Sequence, residues 1–301
     1  FKRIFVIQPT WHNISNTIYM GDALPKAFAN LGPEIFSAYF GCELGYVTKT
    51  TSWSDPNLLD WNDIDKINYN RENPYWLAIK KYTDTLLEYG QNKFYVGYTD
   101  IHTGADALCA FRDPANFCMD LFDSPNQVTK LLRKVDDAFC DEFNYTLDYL
   151  ESFKQPCTTW AGIVSSMRYH VPSNDFSCMI SNEMFREFFL DGIIRECRTA
   201  EANIYHLDGP GALQHLDTLL EIPELNILQW VYGSGNGIAS DWLNIHKKAQ
   251  AAGKGVQIHI DVSELENIIG NLKPEGVFLI VGGVTSIEEG QAVINRISKW
   301  T

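Results

Sequence analysis

The stretch Asn203-Ile-Tyr-His-Leu-Asp-Gly-Pro-Gly211 decides how this chain folds. Apolar and aromatic residues lead to a polar tip, His206-Leu207-Asp208, and a Gly-Pro-Gly turn separates that tip from a helix beginning near Ala212. This is the pattern of a buried strand followed by a break. Side chains alternate faces along a strand, so His206 and Asp208 point the same way, about 6–7 Å apart along the backbone. A histidine and a carboxylate at the carboxyl end of a strand, just before a helix, form a site-building unit of α/β proteins.

Working outward, the same unit recurs. Residues 93–99 (KFYVGYT) read as a buried strand ending in Asp100-Ile101-His102, and residues 256–260 as a strand ending in His259-Ile260-Asp261. Residues 226–231 and 277–281 are further strands, followed by Gly233-Ser-Gly-Asn-Gly237 and by Gly282-Gly283. Between them lie helical patterns at 241–252 and after the capping boxes Ser263-Glu-Leu-Glu266 and Ser286-Ile-Glu-Glu289. Ser124-Pro125 opens a long helix with Val128, Leu131, Leu132, Val135 and Phe139 on one face, and Ser181 caps another through about Thr199. Residues 158–165 and 175–180 are strand candidates, and a loop is expected through Arg112.

Toward the amino terminus, residues 3–9 (RIFVIQP) have strand composition, with Trp11 and His12 at their end, and 16–30 are moderately helical. Residues 35–40 and 45–53 look extended, 54–70 form a polar excursion, and Asn73-Pro74 starts a helix running to about Glu88. Strand and helix alternate at about 20–30 residues per unit, which predicts a parallel sheet. About eight strands with no dinucleotide-binding glycine fingerprint predict one (β/α)8 TIM-type barrel domain over 1–301, with a long N-terminal excursion.

The composition limits what such a barrel does. The chain has 301 residues, is 45% hydrophobic, and carries a net charge of -14. That charge repels nucleic acid and acidic membranes, and no apolar run approaches the roughly 20 residues that span a bilayer. The seven cysteines, Cys42, Cys109, Cys118, Cys140, Cys157, Cys178 and Cys197, are odd in number, scattered and without a C-x-x-C pair. Reduced thiols in a cytoplasmic protein are the expectation.

Three strands thus end in a His/Asp pair: Asp100/His102, His206/Asp208 and His259/Asp261. About two such pairs are expected from composition alone, so position is the better signal. His215/Asp217 is a fourth pair, but it lies in a helix, where residues two apart do not face each other. Asp175 and Glu43 lie beside other strand ends. Imidazole and carboxylate together suit a divalent ion such as zinc, with His206, Asp208 and His259 as the ligand set. The same groups serve as general acid and base without metal, and then His206, Asp208, Asp100, His102 and Asp175 are the catalytic candidates. A structural hydrogen bond within each pair is the plain alternative. Trp11, Trp53, Trp160, Trp230 and Tyr232 are placed to wall a pocket, and Arg112 to clamp a substrate carboxylate.

From about Gly97 onward the chain resembles the uroporphyrinogen decarboxylase superfamily, which includes cobalamin-dependent methyltransferases. The resemblance rests on Gly97-Tyr-Thr-Asp-Ile-His102, on Arg112 with Asp120-Leu-Phe-Asp-Ser-Pro125, and on Asp175-Phe-Ser-Cys-Met-Ile-Ser181. It continues through His206-Leu-Asp-Gly209 and Leu279-Ile-Val-Gly-Gly283. The segments between Trp53 and Trp76 and between Leu225 and Asn236 look like a branch labelled trimethylamine corrinoid protein-like. The resemblance implies a barrel, methyl transfer, and a corrinoid partner protein or methylcobalamin as cofactor.

Two departures shape what it implies. Where the decarboxylases carry an arginine-rich R-Q-A-G-R motif, this chain has Gln8-Pro-Thr-Trp-His12. In the methyltransferases a His-x-Cys pair and a second cysteine bind zinc. Here His206 matches the histidine, Asp208 stands at the first cysteine, and Gly282 or Gly283 at the second. The resemblance therefore implies a harder His/carboxylate site than its relatives have. Corrinoid-linked methyl transfer is the leading expectation. A decarboxylase or other lyase, and a non-catalytic binding subunit, are the alternatives.

Overall fold

The computed structural model describes residues 2–46 and 52–301, and for residues 2–7 the backbone only. In chain order its strands are β1 (Lys26–Phe28), β2 (Glu43–Tyr46), β3 (Ser52–Asp55), β4 (Tyr95–Gly97), β5 (Cys157–Thr158) and β6 (Val164–Ser165). They are followed by β7 (Tyr169–His170), β8 (Ala202–Asp208), β9 (Ile227–Val231), β10 (Gly255–Asp261) and β11 (Val277–Gly282). Five of them form one parallel sheet in the order β11-β10-β9-β8-β7, with helices connecting successive strands. Ile204, Tyr205 and Leu207 in β8, Leu228 in β9 and Ile258 in β10 are all but inaccessible. Strands covered on both faces in this way need helices on the sheet, and the chain supplies them.

β1 and β4 form a second parallel pair. Single hydrogen bonds carry the order onward: Tyr98 N donates to the Thr158 carbonyl at 3.0 Å, and Tyr98 Oη to the Tyr169 carbonyl at 3.1 Å. Gly97 permits that approach, since a Cβ there would stand 2.2 Å from the Thr158 oxygen. β1, β4, β5 and β7 to β11 thus follow one another in chain order, and a β11–β1 pairing is not among the strand pairs of the described residues. None of the described helices is long and apolar enough to cross a membrane.

Several expectations are corrected. Residues 3–9 are not a strand but part of the helix Lys2–Ser15, which keeps Pro9 inside it. Its Trp11 ring packs edge-on against Tyr89, 6.1 Å between centroids. The first strand falls inside the segment expected to be helical, at Lys26–Phe28. Residues 35–38 make a short helix rather than a strand, and the expected strand at 45–53 is an antiparallel hairpin, β2 with β3, of which 47–51 lie outside the described residues. The loop expected through Arg112 is two helices, Gly104–Arg112 and Pro114–Asp123, the second capped by Asp113. Residues 175–179 form a 3-10 turn instead of a strand. The strands 93–99 and 226–231, the long helix Pro125–Ser152 and its buried face, and the Ser181 and Ser286 caps stand as read, within a residue or two.

Candidate functional site

β8 delivers His206 and Asp208 on one face, and Gly209 turns the chain away at once with a φ of 77°. On one side of β8, the His206 N–H donates to the Pro172 carbonyl at 2.9 Å and Ser173 bridges to His206. This prolongs the β7 line by three residues and sets Asp175 beside β8. The result is a group of ligand-type atoms from Asp175, His206 and Asp208 that lie within 4.8 Å of one another. His102, Asp106 and Asp175 form a second such group, so Asp175 belongs to both.

Asp106 was absent from the residues singled out by sequence, because its helix was read as loop. It holds the site's architecture: its carboxylate accepts from Asp175 N at 3.1 Å, Phe176 N at 3.0 Å and Ser173 Oγ at 3.3 Å. Those bonds tie the turn carrying Asp175 to the helix Gly104–Arg112. A signal was available, since Asp106 follows His102 by four residues and sits in the first turn of a helix, where acids are favoured.

The two groups differ in what they offer a cation. His102 is flanked on both nitrogens, with Nε2 3.2 Å from Asp100 and Nδ1 3.7 Å from Asp106, and Asp175 lies 4.0 Å away. Burial alone would disfavour its charge, but Asp100 and Asp106 together overcome that and raise its pKa well above the ordinary 6.5. The two carboxylates thus favour the charged form of His102, whose Nε2 is taken up by Asp100. His206 is the opposite case. Its Nδ1 is 2.6 Å from the side-chain oxygen of Gln229, while its Nε2 and the Asp208 carboxylate have no hydrogen-bond partner among the described residues. Asp175 is raised to about 6 by burial and by Asp106, with His102 and His206 opposing and Asp208 adding. Its side chain is 45% exposed, so water moderates that rise. Crowded carboxylates with an available imidazole nitrogen are a donor set that fits a divalent cation, which needs Asp175 ionised.

The titration of His102 provides a test of this division. The group's pKa is raised, so its contribution to stability is fully present below about 6.5 and is lost as pH rises through its folded midpoint. In Asp100→Asn the His102 midpoint, followed by NMR, is expected below that of the unaltered protein. An unchanged midpoint would remove Asp100 as the cause.

The other expected site residues are placed as follows. Trp160 borders the site, its ring edge-on to His206 at 5.1 Å. Tyr232 stacks on Trp242 at 6.4 Å in the loop after β9, whereas Trp230 is a core residue, 4% exposed. Trp11 is on the Tyr89 side of the molecule's first helix and not with the site residues, and Trp53 lies exposed on β3. Arg112 does not offer its guanidinium to a ligand: it is buried in a two-point contact with Asp120 at 2.6 and 3.0 Å. Glu43 accepts from Tyr75 Oη at 2.8 Å on the β2 edge. Asp261 caps the turn Val262–Glu264, accepting from Ser263 N at 2.9 Å, so the capping box begins there and not at Ser263. His259 is exposed at its surface, partial desolvation and nearby His206 lower its pKa, and it is not among the converging ligand atoms. His215 is held by the Ser177 carbonyl and stacked on Phe185. All seven cysteines are free thiols. Cys178 is exposed, partial desolvation and the nearby Asp175 carboxylate raise its pKa, and it is not among the converging ligand atoms.

No family model and no curated protein matches the sequence. Among solved structures, a methyltransferase from Methanosarcina mazei is similar, with a TM-score of 0.62 over 97% of this chain and 83% of that one. The two sequences are 10% identical, so the likeness is one of fold.

Proposed function

We propose that this chain is a methyl-transfer enzyme built on a closed (β/α) barrel, with a divalent-cation site formed by His206, Asp208 and Asp175. The carrying observation is the convergence of these three side chains within 4.8 Å at the carboxyl ends of parallel strands, where barrels place their chemistry. The fold shared with a methyltransferase supports the reaction class. A corrinoid, on a partner protein or as free methylcobalamin, is the proposed methyl carrier. A bound cation would supply Lewis acidity, holding the acceptor's reacting atom as an anion. Trp160 orients the His206 ring, Asp106 holds the Asp175 turn, and His102, its charged form favoured by Asp100 and Asp106, offsets the acids. With oxygen in place of thiolate, the site favours zinc, manganese or cobalt in a harder setting than a cysteine-ligated centre.

The test is absorbance-monitored demethylation of methylcobalamin with a panel of thiol, amine and hydroxyl acceptors, with and without added Zn²⁺, Mn²⁺ or Co²⁺. Metal-dependent loss of the methyl–cobalt band is expected with at least one acceptor. No turnover with any corrinoid, free or protein-bound, would sink the proposal.

A further inference from the structure

The polar row behind His206 has a direction. Strand register sets His206 opposite Gln229 on β9, and Gln229 opposite Gln257 on β10. Gln229 and Gln257 are 1% and 0% exposed, so their amides must find partners inside the protein. The partners form one line: Gln257 Nε2 is 2.5 Å from the Ala161 carbonyl, Gln229 Nε2 is 3.0 Å from Gln257 Oε1, and His206 Nδ1 is 2.6 Å from Gln229 Oε1.

Which end of each amide faces which neighbour follows from the end of the line. A backbone carbonyl only accepts, so Gln257 must turn its NH₂ to Ala161 and its oxygen to Gln229. Gln229 must then donate to Gln257 and turn its own oxygen to His206. A histidine nitrogen facing an oxygen must carry the proton. The tautomer of a histidine is set by the bond its other nitrogen makes, and here that bond is anchored, across two further strands, on the Ala161 carbonyl between β5 and β6.

We propose that Gln229 and Gln257 are positioning residues that hold His206 in its Nδ1-protonated form and so present the Nε2 lone pair to the site. Proton and lone pair are assigned without reference to any ligand. The consequence for metal binding rests on the function proposed above: a ligating histidine donates its other N–H to such a partner, and here the partner is a neutral amide. Neither glutamine touches substrate or metal in this arrangement, and both act through His206.

The experiment is long-range ¹H–¹⁵N NMR of histidine-labelled, chelator-treated full-length protein at a pH where His206 is neutral, with His206→Ala giving the assignment. The Nδ1-protonated tautomer is expected in the unaltered protein. Gln229→Leu is expected to convert it to the Nε2-protonated form that a free imidazole side chain prefers. Gln257→Met leaves Gln229 in place without its anchor and is expected to give a mixture. Gln229→Glu still offers an oxygen to Nδ1 in either protonation state and is expected to retain the tautomer. In Co²⁺ titration, Gln229→Leu is expected to weaken binding by about 10–100-fold, the range for loss of an outer-shell partner. An Nε2-protonated His206 in the unaltered protein, or an unchanged tautomer in both Gln229→Leu and Gln257→Met, would overturn the proposal. Nδ1 protonation without Co²⁺ affinity would leave the relay standing and remove the metal-dependent function, and Co²⁺ affinity with the opposite tautomer would do the reverse.

Discussion

His206→Ala is expected to lower divalent-metal affinity by more than the roughly 100-fold that loss of an outer-shell partner costs. His206 is the single nitrogen donor of its group, and its removal leaves two carboxylates that repel each other. Asp175→Ala is expected to match it, because Asp175 completes both ligand groups. The informative comparison is with β10. His259→Ala and Asp261→Ala are expected to stay within a few-fold of the unaltered protein, since His259 lies outside the converging atoms and Asp261 is occupied as a helix cap. Calorimetric titration with Zn²⁺ and Co²⁺ separates these outcomes. Equal losses for His206→Ala and His259→Ala would move the site toward β10 and discard the His206, Asp208 and Asp175 ligand set.

The carboxyl half of the fold and the placement of two residues of its candidate site could be read from sequence for one reason. β8, β9 and β10 are largely buried, β11 is half-buried along its length, and each is closed by glycine or a capping acid, so composition and punctuation agree. His206 and Asp208 converge because the two-residue period of a strand leaves them no other option. The same logic misled at Asp261, where the alternation holds but the carboxylate is used by the next turn's own N–H groups. At the amino end, local preference and tertiary role part company. The apolar run from Ile4 to Ile7 has strand composition but belongs to a helix, whereas the first strand, Lys26–Phe28, is too short to show a period. Asp106 escaped because its helix was read as loop, whereas Gln229 and Gln257 act through partners distant in sequence, His206 and Ala161, and no local pattern encodes such pairings.

Arg112 carries the second large effect, and it concerns stability rather than chemistry. The guanidinium is 8% exposed, meets Asp120 at two points, donates to the Leu58 carbonyl, and lies 5.0 Å from the centre of the Trp61 ring. Asp120, 6% exposed, also accepts from Trp61 Nε1 at 2.8 Å. This cluster joins the segment 58–61 to the helices Gly104–Arg112 and Pro114–Asp123. Removing one partner strands a charge in the interior, so Asp120→Ala is expected to cost about 3–5 kcal/mol. Arg112→Met is expected to cost a similar amount, because Trp61 alone cannot compensate a buried carboxylate. The pair replaced together by apolar residues, Arg112→Met with Asp120→Leu, should recover most of the loss, since well-packed apolar groups replace buried ion pairs at little net cost. Urea unfolding followed by circular dichroism gives the cycle. Metal affinity in the folded variants is expected to stay within a few-fold of the unaltered protein. If Arg112→Met instead leaves the urea midpoint in place and weakens binding of an anionic substrate, the arginine belongs to the site after all, as a clamp freed from Asp120.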